Sequence, residues 1–166
     1  MAHRLRVGIS SCLLGQRVRY DGGHRHEACL TDLLGPHVDW VPVCPEVEVG
    51  MGTPREPIRL RRRGEDTRLV GVSSGTDHTD AMRGWASRRL EELEAGRLHG
   101  YVLKARSPSC GLAVAVDGDG TEPGMFAAAL LERFPGLPVA EEESLRDATS
   151  RAAFLDRARA YRAGPA

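Results

Sequence analysis

Three cysteines stand where chemistry could be done, and each follows a short apolar run. Cys12 sits in Ser10-Ser11-Cys12-Leu13-Leu14-Gly15, just past Leu5 to Ile9. Cys44 opens Cys44-Pro45-Glu46, just past Trp40-Val41-Pro42-Val43. Cys110 sits in Ser107-Pro108-Ser109-Cys110-Gly111, just past Gly100 to Lys104. Thiolates are soft donors that suit zinc or iron–sulfur clusters. There is no C-x-x-C pair, and the separations run to tens of residues. Structural zinc sites usually use at least one close pair of ligands, whereas iron–sulfur clusters can draw theirs from distant loops. By spacing alone the metal signal is weak. Three cysteines rather than four would leave one iron with an open position, which separates a reactive site from a structural one. Glu46, two residues past Cys44, is a candidate general base, and Ser107 and Ser109 are candidate hydrogen-bond or proton-relay groups.

Other readings compete with a reactive cluster. Cys29 could be a fourth ligand in a non-catalytic module holding zinc or a fully ligated cluster. Its place among leucines favours the core instead, since free cysteine is among the most buried residue types. Cys12 could be a nucleophile with His24 as its base. The chain could also be a nucleotide-binding α/β protein without metal.

The elements that must position these residues follow from pattern. Leu5–Ile9, Asp39–Val43 and Gly100–Lys104 read as strands whose exits carry the cysteines. In an open α/β sheet the C-terminal ends of strands share one edge, where ligands bind. Ser10 to Gly23 is a long loop in which Arg17, Arg19, Asp21 and the following His24 stand among glycines that let backbone approach a ligand. His26–Leu34 reads as a short helix stopped by Gly35-Pro36, with Ala28, Cys29, Leu30, Leu33 and Leu34 on its apolar side. Val49–Pro57 is a Gly- and Pro-rich loop, and Leu60–Arg63 with Leu69–Val72 resembles a β-hairpin. A helix from Asp77 to near Gly96 buries Met82, Trp85, Ala86, Leu90 and Leu93, with Asp77 or Thr79 as its cap. Leu112–Val116 is extended. Asp117–Gly120 is a turn that lacks the other ligands of a calcium loop. A helix over Met125–Phe134, an edge strand at Leu137–Ala140, and a last helix over Asp147–Tyr161 with Ala152, Leu155, Ala158 and Tyr161 inward complete the chain. The alternation predicts one domain over residues 1–166, a three-layer α/β sandwich around a mostly parallel, Rossmann-like sheet.

Composition limits the function. The 166 residues carry 23 basic and 23 acidic side chains, so the net charge is zero and bulk nucleic-acid binding is disfavoured. No apolar run approaches the roughly 18 residues of a membrane helix, and the five strand-like residues after Arg4 are too short for a signal sequence. Four scattered cysteines do not make a disulfide framework. The expectation is a cytoplasmic protein with reduced thiols.

Ser11-Cys12-Leu13-Leu14-Gly15 with Val18 to His24, Val41 to Glu46, Pro54-Arg55 and Ser107 to Gly111 resemble the thiouracil desulfurase family over most of the chain. The resemblance implies a [4Fe–4S] cluster held by Cys12, Cys44 and Cys110, with Cys29 outside the ligand set. It implies that the free iron takes the thione sulfur, that Glu46 deprotonates the attacking water, and that Ser107 or Ser109 orients the ring or relays a proton. Uracil is then released and sulfur leaves as sulfide, without external electrons, in an oxygen-sensitive enzyme whose final sulfide acceptor stays unassigned. Asp77-His78-Thr79-Asp80 and Arg133 to Val139 look closest to a branch in which a second, helical domain is fused on and the substrates are thiolated uridine nucleotides. The expected substrate is thiouracil or 4-thiouridine monophosphate. Ser11 belongs to the expected substrate site, and Arg19, His24, Arg25 and Arg55 are the candidates for a phosphate.

Overall fold

A computed structural model describes residues 4–117 and 120–164. Its elements are β1 (Leu5–Ser10), β2 (Val38–Val43), α1 (Pro45–Glu48), β3 (Ile58–Arg63), β4 (Asp66–Gly71), α2 (Thr79–Ala95), β5 (Gly100–Leu103), β6 (Val114–Ala115), β7 (Thr121–Glu122), α3 (Met125–Arg133), β8 (Val139–Glu141) and α4 (Ala148–Ala163). The central sheet runs β2-β1-β5-β8, and all its pairings are parallel. From β1 the chain moves outward to β2, then crosses back to β5 on the other side. The C-terminal ends of β1 and β5 therefore flank the switch point where α/β sheets bind ligands. Two small antiparallel pairs, β3-β4 and β6-β7, lie outside this sheet.

Alternation along the strands sends side chains to two cores. Tyr101 and Leu103 of β5 pack with Met82, Trp85, Leu90 and Leu93 of α2 and with Phe126 and Leu130 of α3. Val102 of β5 packs on the opposite face with Leu5, Val7 and Ile9 of β1 and Phe154, Leu155 and Ala158 of α4. Helices on both faces of a parallel sheet make the expected three-layer α/β architecture, Rossmann-like in its switch point. Gly8 lies opposite Tyr101 in the β1–β5 register, and a Cβ there would come within 2.3 Å of the Tyr101 ring. The glycine gives that buried ring its place.

Several local expectations are corrected. The helix over His26–Leu34 is a π-helical segment limited to Cys29–Leu34, and Leu33 is exposed while Leu30 and Leu34 are buried. Cys29 is half-buried and outside both core clusters, so it is not the core residue expected. A widened helical turn rotates successive side chains by less than 100°, so an apolar list read at the α-helical period does not keep to one face. In α4, Ala152 and Tyr161 are exposed, and Phe154 takes the inward place. The turn expected at Asp117–Gly120 includes Gly118 and Asp119, which lie outside the described residues; Val116 N–H donates to the Gly120 carbonyl at 3.0 Å.

Candidate active site

The strand exits deliver the three thiols as expected, but each does so through a different local device. After β1, Ser11–Leu14 forms a 3-10 turn that replaces the start of the expected loop. Gly15 closes it at φ 88°, a left-handed conformation that favours glycine. The Arg25 N–H returns to the Cys12 carbonyl at 2.9 Å, folding the long loop back over the turn. After β2, Cys44 precedes the one-turn helix α1, and the Glu48 carboxylate accepts from the Cys44 N–H at 2.9 Å. Proline is well suited to the first position of a helix, so Pro45 hides α1 from a reading that treats proline as a breaker. After β5, the Ser107 hydroxyl oxygen accepts from the N–H groups of Ser109 (3.2 Å) and Cys110 (3.1 Å). The first N–H groups of α3, which have no partner within the helix, donate to the carbonyls of Pro108 (from Met125, 2.9 Å) and Ser109 (from Phe126, 2.9 Å). That fixes the Cys110 turn on the end of α3.

Cys12, Cys44 and Cys110 line one cavity of about 340 Å³ at the C-terminal edge of the sheet. Cys12 and Cys110 are buried, Cys44 is half-buried, and none is in a disulfide. Burial pushes the Cys12 thiol up to about 11, opposed by the charges of Arg19 and Lys104. Burial also raises Cys44 and, most strongly, Cys110, whose thiol gains partial relief from the Ser10 hydroxyl. A negative charge on Glu46, Cys12 or Cys44 would raise Cys110 further. A thiol nucleophile needs a lowered pKa. His24 stands outside the cavity lining with its Nδ1 accepting from the His26 N–H at 3.1 Å, so Cys12 has no histidine base beside it, which argues against the cysteine-hydrolase reading. Cys29 does not line the cavity either.

Among the described residues no three His, Cys, Asp or Glu side chains converge closely enough to hold a single metal ion. A cluster asks for something else, namely thiolates spaced around a cavity and hydrogen bonds toward sulfur. The donor set fits: all three ligating candidates are thiols, Ser10 hydrogen-bonds toward Cys110, and five basic side chains against one carboxylate line the space.

That carboxylate is Glu46. Arg55 donates to its Oε1 from Nε (3.2 Å) and Nη2 (3.1 Å), and the pair is 7% and 16% exposed at Arg55 and Glu46. The Ser109 hydroxyl stands 3.4 Å from Oε2. Arg55 also donates to the carbonyls of Val18 (2.8 Å) and Gly52 (2.7 Å). Its guanidinium thus latches the Val18 loop to the Cys44 corner, a very different setting from an open phosphate clamp. Arg19 lines the cavity with its Nε buried and without a hydrogen-bond partner. Arg25, Ser11 and Ser107 line it too, while Ser109 is fully buried, does not line it and reaches Glu46 instead. Sequence reasoning missed Ser10 and Lys104. Both sit at strand ends beside the switch point, and that position was the available signal.

A family model for 2-thiouracil desulfurase matches residues 7–142. This chain belongs to the 2-thiouracil desulfurase family. A solved structure described as the [4Fe–4S]-dependent thiouracil desulfidase TudS superposes with a TM-score of 0.70 at 32% identity, covering 90% of this chain and 99% of that one. The uncharacterised protein YbbK of Bacillus subtilis strain 168 is 32% identical over 149 residues, 84% of this chain and 97% of its own. The family match ends at Glu142 and takes in all three cavity cysteines and Glu46. Among the described residues no helix is long and apolar enough to cross a membrane.

Proposed function

We infer that this chain is a [4Fe–4S]-dependent desulfidase of thiolated uracils, with the cluster held by Cys12, Cys44 and Cys110. The observation that supports this best is the convergence of three thiols from strand exits and one half-buried carboxylate on a single cavity. When bound, the cluster supplies a Lewis-acidic iron with an open position for the thione sulfur, which makes the ring carbon electrophilic. Glu46 receives the proton of the attacking water on Oε2, because Oε1 is held by Arg55. Ser109 supports Oε2 from behind, and Ser107 offers its hydroxyl hydrogen to the ring or to the departing sulfur. Water contributes the new C=O oxygen and two protons, sulfur leaves as sulfide, and no oxidation state changes, so the reaction is hydrolytic. Ser11, Arg19 and Arg25 bind the substrate, thiouracil or 4-thiouridine monophosphate. Arg55 acts through Glu46.

The test is anaerobic reconstitution with iron and sulfide, followed by 2-thiouracil, 4-thiouracil and 4-thio-UMP in separate assays. The expected result is loss of thione absorbance with uracil or UMP appearing. A loaded protein that turns over none of them would remove the substrate reading, and a Glu46→Gln protein with normal turnover would remove the base.

A further inference from the structure

One buried ion pair beside the thiols has no part in the chemistry above. Lys104 follows β5 and lines the cavity, and its side chain is 14% exposed. Its Nζ donates to the Ala105 carbonyl at 2.8 Å and stands 3.3 Å from Glu142 Oε2. Glu142 is 3% exposed in its side chain, and its Oε1 accepts from the Ala105 N–H at 2.6 Å. The pair therefore clasps the first turn after β5 from both sides. Buried ion pairs carry a desolvation penalty that packed apolar residues of similar volume avoid, so stability alone does not call for one here. The remaining cations of the cavity differ. Arg55 is held by Glu46, Arg25 and Arg106 are exposed, Arg106 in a pair with Glu143, and Arg19 is half-buried on the loop after β1 with its Nε lacking a hydrogen-bond partner. Lys104 is the lysine of the lining, largely buried and held at the cavity wall by its ion pair with Glu142.

A [4Fe–4S]2+ core on three thiolates carries one net negative charge, and a departing sulfide adds more. Negative charge in a buried space needs a nearby counter-charge. We propose that Lys104, held by Glu142, is the counter-charge of the cluster, and that this pair sets the cluster's reduction potential. The proposal rests on the cluster reading given above. Reduction adds an electron to an already anionic group, so a fixed positive charge favours the reduced state and a fixed negative charge disfavours it.

The two members of the pair must then act with opposite sign. Lys104→Met keeps the length of the side chain and removes the positive charge, and it shifts the potential downward. Glu142→Gln keeps the acceptor for the Ala105 N–H and removes the negative charge, and it shifts the potential upward. Lys104→Arg stays near the wild-type value. The measurement is iron and sulfide content after anaerobic reconstitution, then a redox titration followed by the EPR signal of the reduced cluster. Opposite shifts support the proposal. No shift, or shifts of the same sign, overturns it, because a pair that only braces the turn has no reason to respond to the sign of the charge removed. If Lys104→Met does not retain iron, Glu142→Gln decides: an upward shift with Lys104→Arg unchanged supports the proposal, and anything else overturns it. Wild-type protein that takes up no iron overturns the cluster reading itself, and the counter-charge with it.

Discussion

At the C-terminal end of the parallel sheet several polar groups are buried, whereas those lining the groove at the N-terminal end are exposed or half-buried. Ser10, Ser11, Ser109 and Glu142 are all buried around the thiol cavity. The opposite end carries a larger groove, about 750 Å³ against about 340 Å³, lined by Arg97, His99, Arg133, Tyr161 and others. Its arginines have a simpler explanation. Arg133 and Arg162 lie in the last turns of α3 and α4, where a positive charge complements the helix dipole. Arg133 also pairs with Glu94, both exposed. His99 Nδ1 accepts from the Arg6 N–H at 2.8 Å, and burial with the nearby charges of Arg162 and Arg6 lowers its pKa. The comparison teaches that size does not mark a site. Buried polar groups at strand exits do, because burying them has a cost that structure alone does not need.

Four experiments break or sharpen this contrast. Replacing Cys12, Cys44 or Cys110 by serine is expected to abolish cluster retention and turnover, whereas Cys29→Ser keeps both; iron analysis after reconstitution reads this directly. Glu46→Gln is expected to retain iron and lose turnover by about 10²–10⁴-fold, the usual range for a general base, in steady-state kinetics. Gly8→Ala is expected to destabilise the fold by about 1–3 kcal/mol in denaturant titration, since the added Cβ lands 2.3 Å from the Tyr101 ring in a closed core. At the other end of the sheet, Arg133→Gln is expected to change stability by less than about 0.5 kcal/mol and leave turnover untouched. A large effect there would end the claim that the two ends differ in kind.

The parts of the molecule read most easily from sequence are those where local pattern and tertiary context agree. Met82, Trp85, Ala86, Leu90 and Leu93 of α2 are all buried, and β8 is the edge strand that Pro138 suggested. The three cysteines share one sheet edge because strand and loop signals are local and parallel sheets are directional. Strand order was not legible, since it depends on how crossovers pack. The Lys104–Glu142 pair was equally hidden: Glu142 opens a 3-10 turn after the edge strand, and only the β5–β8 pairing brings it to Lys104. Arg55 looked like an anion clamp because sequence shows its charge and not its partner. Cys29 and Ala152 were misplaced by projecting side chains at the α-helical period, the first in a π-helical turn and the second beside a bulkier neighbour, Phe154, that claimed the core.

The way the thiols are carried has a consequence for how the protein matures. Each of the three sits on a separate strand exit, and the strands meet only through the β2-β1-β5 pairing. In a C-x-x-C site a metal can seize ligands from an unfolded chain and nucleate its own fold. Here β5 joins β1 across most of the intervening sequence, a non-local pairing that is slow to form. The corner that carries the three thiols is therefore expected to form late, once the sheet is paired. On the cluster reading, folding is expected to precede metallation, and an apo-protein that has kept its sheet is expected to take up iron and sulfide on anaerobic reconstitution.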